Sequence, residues 1–152
     1  MKRLGKSSKK GFTLVELIVV LVILAVLAAM LVPALTGYIK KARQEKEYQA
    51  ASTVYTAVQA LSTEAYAKST TGSVAETNIE RKDVANLTSL DLSKAEIKVA
   101  FDGTNKAQIS KISIKFDTTD TEAQYYNYEV NAKTWTYGAA LDDTKAISTT
   151  KT

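Results

Sequence analysis

Glu16 is the one charged residue in a run otherwise suited to a lipid bilayer. From Phe12 to Leu35, 21 of 24 residues are apolar, and only Thr13, Glu16 and Pro33 stand outside that set. Such a length is sufficient to cross a membrane. A carboxylate near the bilayer centre costs about 3 kcal/mol on insertion scales, so a charge within the run calls for a specific partner. Glu16 sits near the start of the run, where that cost is smaller but not zero. On position alone it has two readings, a side chain reaching the headgroups or one half of a dedicated ion pair.

The flanks orient the span. Lys2, Arg3, Lys6, Lys9 and Lys10 precede the run with no acidic residue among them, while Lys40, Lys41 and Arg43 follow it. Five cations against three place the N-terminus in the cytoplasm. A secretory signal also has a basic start and an apolar middle, and Val26-Leu27-Ala28 offers it a small-residue cleavage site. Two observations count against that reading. A signal gains nothing from an acid early in its apolar region, and the helical pattern carries on well past the site.

Lys9-Lys10-Gly11-Phe12-Thr13-Leu14-Val15-Glu16, followed by the long apolar segment, resembles the leader and N-terminus of a type IV prepilin over about Lys9 to Lys46. The resemblance implies that a membrane aspartic peptidase cuts between Gly11 and Phe12 and methylates the new N-terminus at Phe12. It further implies a homopolymeric filament built by assembly machinery in the cytoplasmic membrane, with extracellular display afterwards. Major and minor pilins share this start with competence pilins and with the pseudopilins of type II secretion. The expected role is a structural pilus subunit serving adhesion, twitching motility or biofilm formation. A minor or competence pilin that binds DNA or a surface ligand, and a major pseudopilin, are the alternatives.

The residue types suit that processing. Gly11 has no Cβ and resists helix, leaving an uncrowded peptide bond beside the membrane. Cleavage there makes Phe12 a charged amine, and Glu16 lies one helical turn further on. The helix dipole and the amine both favour a carboxylate at that place. Glu16 can cap the first amides of its own helix. The resemblance implies instead an ion pair with Phe12 of the neighbouring subunit, which would set register during assembly.

Composition narrows the function further. The whole chain carries +4, but the leader alone carries +5, which leaves −1 for the remainder. A nucleic-acid partner, which a strongly basic head would favour, is therefore not expected. With no histidine and no cysteine, the common nucleophile and base pairs cannot be built, and neither can the usual zinc sites. No catalytic residue, cofactor or metal is assigned, and the chain reads as a substrate of prepilin peptidase rather than an enzyme. The resemblance to major pseudopilins would imply a calcium-binding loop near the C-terminus, for which Asp117, Asp120 and Glu122, or Asp142 and Asp143, could be offered, and solvated turn acids explain them equally well. Tyr125, Tyr126, Tyr128, Trp135 and Tyr137 could form an adhesive patch, but alternation sends about half of them inward as strand packing.

The elements that must position these residues follow from periodicity. The expected class is α+β, with the type IV pilin fold: a long N-terminal helix and a four-stranded antiparallel sheet packed on its C-terminal half. Residues 1–11 form the leader, 12–35 the membrane and filament-core helix, and 36–68 its amphipathic continuation. Ala51, Val54, Tyr55, Val58, Leu61 and Ala65 make the apolar face of that continuation. At about 1.5 Å per residue, a helix from Phe12 to Lys68 would extend roughly 85 Å. Pro33 and Gly37 should kink or soften it. A linking region spans 69–95, with a short helix from Glu80 to Leu90 carrying Ile79, Val84, Leu87 and Leu90. The sheet and polar tail occupy 96–152. Its strands are expected at Glu96 to Phe101, Ala107 to Phe116, Tyr125 to Val130 and Thr134 to Tyr137. Asp102-Gly103 turns the first hairpin, Asn131-Ala132-Lys133 turns the second, and a bulge lies near Ser110 and Lys111. Lys145 and Ser148 to Thr152 read as a mobile polar end with little to bury, and the absence of cysteine departs from the C-terminal disulfide that the resemblance to many pilins implies.

Overall fold

The computed structural model describes residues 11–104 and 106–149, so expectations for leader residues 1–10 and for 150–152 lie outside it. The chain divides into two compact units, Met1–Arg43 and Gln44–Thr152. A 55-residue helix α1, Leu14–Lys68, contributes to both.

In the first unit, every described residue is exposed. Helix α1 runs through Pro33 and Gly37 without interruption. Proline has no amide to donate, so one helical bond is lost there. One turn later the Thr36 hydroxyl donates to the Val32 carbonyl at 2.9 Å.

The second unit has its own core. A 3₁₀ turn at Glu76–Asn78 and helix α2, Arg81–Thr88, precede strands β1 (Glu96–Phe101), β2 (Ile109–Lys115), β3 (Tyr125–Glu129), β4 (Thr134–Gly138) and β5 (Lys145–Ala146). The strands form one antiparallel sheet ordered β4-β3-β2-β1-β5. Alternation turns Ile97, Val99, Ile112, Ile114 and Tyr126 onto one face, where they are buried with Ala51, Val54, Ala57 and Val58 of α1. Each Ile or Val so buried contributes roughly 1.5–3 kcal/mol.

The expected bulge falls at Ser110. Phe101 pairs with Ile109 and Ala100 with Lys111, so Ser110 is the extra residue, and its hydroxyl donates to the Ala100 carbonyl. That single slip brings Ile109 into phase with Ile112 and Ile114, and all three are fully buried. The first hairpin differs from expectation. Its connection is a longer loop, closed by Asp102 N–H donating to the Gln108 carbonyl at 2.7 Å. Asp102 also accepts from Thr104 N–H, as an Asx turn does. Gln59 of α1 anchors the far side of this loop with both ends of its amide: Nε2 donates to the Ala107 carbonyl and Oε1 accepts from Ile109 N–H, each at 3.0 Å.

The sheet has five strands rather than four, and the supposedly mobile end accounts for the difference. After β4 the chain crosses the outer face of the sheet to the opposite edge. Asn127 Nδ2 donates to the Ala139 carbonyl at 2.7 Å, and Leu141 N–H donates to Ser113 Oγ at 2.9 Å. These bonds give partners to the Ser113 hydroxyl and to Asn127 Nδ2, both on buried residues. Lys145 and Ala146 then pair with Val99 and Lys98. Ile147 enters the core, leaving 4 % of its surface exposed. Ser148 accepts from Arg81 N–H at 2.9 Å, supplying a carbonyl to an amide that the first turn of α2 leaves without a helical partner. A strap of main-chain and amide bonds thus holds the C-terminal region without any disulfide.

Smaller differences have local causes. α2 ends at Thr88 because Ser89 adopts a left-handed conformation at φ 56°. Leu87, expected to pack, is exposed, whereas Leu92 and Ala95 are buried.

Candidate processing and assembly segment

The segment from Gly11 to Glu16 sits at the start of α1. Thr13 precedes Leu14 and acts as N-cap, and Glu16 is the third helical residue. Glu16 Oε2 accepts from Thr13 N–H at 2.9 Å and from the Thr13 hydroxyl at 2.7 Å, and Glu16 N–H donates to Thr13 Oγ1 at 3.2 Å. This reciprocal arrangement is a capping box. It satisfies amide donors that the first turn of a helix leaves without helical partners. Leu17 N–H donates to the Thr13 carbonyl at 3.3 Å and closes the first turn.

Among the described residues, the Glu16 side chain bonds only to Thr13. Phe12, still joined to Gly11, is 89 % exposed. Its nitrogen is an amide in the uncut chain, so an ion pair with Glu16 requires cleavage first. Thr13 was missed as a functional residue. The Thr13-Leu14-Val15-Glu16 pattern is the sequence signature of a capping box and was available to reveal it. A Cβ on Gly11 or Gly37 would meet nothing within 4 Å in the isolated chain, so neither glycine is required by packing inside it.

The remaining candidates resolve into structural roles in the second unit. Tyr128 stacks on Trp135 at 5.0 Å between ring centroids, with Tyr55 and Tyr48 of α1 edge-on to them at 5.0 and 5.6 Å. Tyr126 packs against Phe116 and Tyr137 and donates from its hydroxyl to Glu47 at 3.0 Å. Four of the five sheet aromatics thus fasten the sheet to the helix or to one another. Tyr125 faces the other way. Its hydroxyl donates to Glu96, and Lys98 lies over its ring, 5.0 Å from the centroid. Burial and the bond to Glu96 raise the Tyr125 pKa. Burial opposes the charge on Lys98, but Tyr125 and Glu96 outweigh it and raise that pKa too.

Two of the acids offered for calcium, Asp117 and Asp120, bond within their own turns. Asp117 accepts from Thr119 N–H at 2.9 Å and from its hydroxyl, and these bonds hold the Asp117 carboxyl below its ordinary pKa. Asp120 accepts from Glu122 N–H at 2.9 Å. No group of three or more potential metal ligands occurs among the described residues. A polar cleft of about 870 Å³ lies between the end of α1, the following loop and α2. Of the carboxylates that line it, Glu64 and Glu80 are paired with Lys68 and Lys82.

The long apolar N-terminal helix and the five-stranded antiparallel sheet make an α+β arrangement consistent with a pilin fold. A prokaryotic N-terminal methylation motif matches residues 6–32, and such a leader supports a type IV prepilin-like, pilin or pseudopilin type of subunit. No curated protein and no solved structure gives a match.

Proposed function

We propose that this chain is the precursor of the major structural subunit of a type IV pilus. One observation carries the reading: an 18-residue window of α1 with mean hydropathy 3.2 has no residue buried inside the chain, in a helix whose start lies within the methylation motif. Apolar surface of that extent needs another environment. The membrane supplies it before assembly, with the N-terminus inside, and neighbouring copies of α1 supply it afterwards in the filament core.

In this reading the peptidase cuts between Gly11 and Phe12 and methylates Phe12. The new ammonium then meets Glu16 of an adjacent subunit, replacing part of the capping box with a charge-assisted bond in a low-dielectric core. Pro33 and Gly37 provide a place where the helix can bend or partly melt as it packs. The head, from about Gln44, lies outside and serves adhesion, twitching motility or biofilm formation. The slightly negative charge of the processed chain favours this over a DNA-binding pilin.

Mass spectrometry of filaments sheared from cells tests the proposal. The expected result is this chain as the predominant protein, beginning at N-methylated Phe12. Its recovery as a trace component would reduce it to a minor pilin, and filaments lacking it would overturn the reading.

A further inference from the structure

Strand β4 closes one side of the sheet, and among the described residues only β3 pairs with it. Natural edge strands are commonly blunted by lysine, proline, a bulge or extreme shortness. Thr134-Trp135-Thr136-Tyr137-Gly138 has none of these. Five regular residues pair in unbroken register with β3, and the far edge offers main-chain donors and acceptors. The opposite side of the sheet differs, because there β5 and Ile147 cover β1 from Ile97 to Val99.

The sequence of β4 is self-complementary about Thr136. Laid antiparallel on a second copy, Thr136 meets Thr136, each Trp135 meets a Tyr137, and each Thr134 meets a Gly138. Aromatic pairs and Thr–Thr pairs are among the favourable cross-strand combinations, and no like charges oppose each other. Thr134, Thr136 and Tyr137 are exposed and available. We infer that β4 is a two-fold joint through which two copies of this chain's head pair edge to edge, making one continuous ten-stranded sheet.

The symmetry restricts where the joint can operate. A two-fold axis normal to the sheet reverses every direction in its plane, including that of the head portion of α1 packed on it. Subunits of one filament all point the same way, so the joint connects different filaments running in opposite directions; this consequence rests on the filament reading above. A single strand-edge contact falls short of the about 1,000 Å² expected of a stable interface, so isolated heads associate weakly. Rows of heads along two filaments associate strongly through avidity.

The absence of cysteine gives a clean test, made on the full chain in detergent micelles, where no filament is needed. At the axis the two Thr136 Cβ atoms would lie about 4.5–5.5 Å apart, near disulfide range. Two Thr134 residues would be separated by four positions, roughly 13 Å along the strand. Under mild oxidation Thr136→Cys should become mainly disulfide-linked dimer while Thr134→Cys stays monomeric, both retaining the parent's circular dichroism. As a second variant, Thr134→Cys combined with Gly138→Cys should form dimers, since a Cβ at Gly138 meets nothing within 4 Å. Monomeric Thr136→Cys, or equal cross-linking at Thr134 and Thr136, would overturn the joint. Either result leaves the pilus reading untouched, because that reading depends on filament composition and not on head pairing.

Discussion

Between Gly11 and Lys46 every side chain is exposed, Val and Leu alongside Lys, whereas the rest of the described chain buries sixteen apolar residues. The same hydrophobic effect acts on both regions. In the head it is satisfied by strands and a helix face within one molecule. In the N-terminal region it can be satisfied only by lipid or by other molecules. The head should therefore respond to mutation as an ordinary globular domain does, and the N-terminal region as a component of something larger.

The largest expected effect separates charge from capping at Glu16. Glu16→Ala should abolish filaments while leaving the thermal midpoint of the head unchanged. Glu16→Gln keeps a side chain able to serve a capping box but removes the charge. If the ion pair with Phe12 drives assembly, it should be equally defective by filament yield. Normal filaments from Glu16→Gln would show that the bonds to Thr13 suffice, and the contrast between the two regions would lose its main support.

A core substitution makes the converse test. Ile147→Ala should cost the head about 2–5 kcal/mol in denaturant unfolding, because it leaves a cavity beneath β1 and loosens the strap. Membrane insertion and leader removal should be unaffected. A cost under about 1 kcal/mol, the level of an ordinary exposed site, would mean that the strap does not close the core.

The smallest effect sharpens the comparison from the polar side of the sheet. Tyr125 and Lys98 both have raised pKa values, so their contribution is complete below the unfolded-state values near 10 and is lost as pH climbs through the folded-state values. Head stability should fall on going from pH 9 to 11, and Tyr125→Phe should flatten part of that decline. An unchanged slope in Tyr125→Phe would remove the cluster from the account.

Local pattern revealed what local pattern determines. Ile97, Val99 and Phe101 alternate before an Asp-Gly pair, and β1 occupies the expected residues 96–101. Ile109 stands out of phase with Ile112, and the bulge at Ser110 follows directly. Strand β5 was illegible because Lys145-Ala146 is two residues long with one apolar neighbour, and its only reason to be a strand is the vacant edge of β1. Gln59 and Ser62 are polar residues outside the set that marks the apolar face of the helix. Their role at the Ala107 carbonyl depends on a loop that arrives from some 45 residues further along the chain. At the candidate site, Glu16 stood out by its charge, while Thr13, its hydrogen-bonding partner three residues earlier, was legible only through the capping-box spacing that joins the two.

The strap also sets a schedule for synthesis. β1 gains its second neighbour only when Lys145–Ala146 has been made, and the core lacks Ile147 until a moment later. At about 5–20 residues per second, the 48 residues from Val99 to Ile147 take roughly 2–10 s. Throughout that interval β1 presents a bare edge and an open core. A nascent chain therefore cannot finish its head early, and one that stops short of Lys145 remains recognisably incomplete to any factor that binds exposed strands.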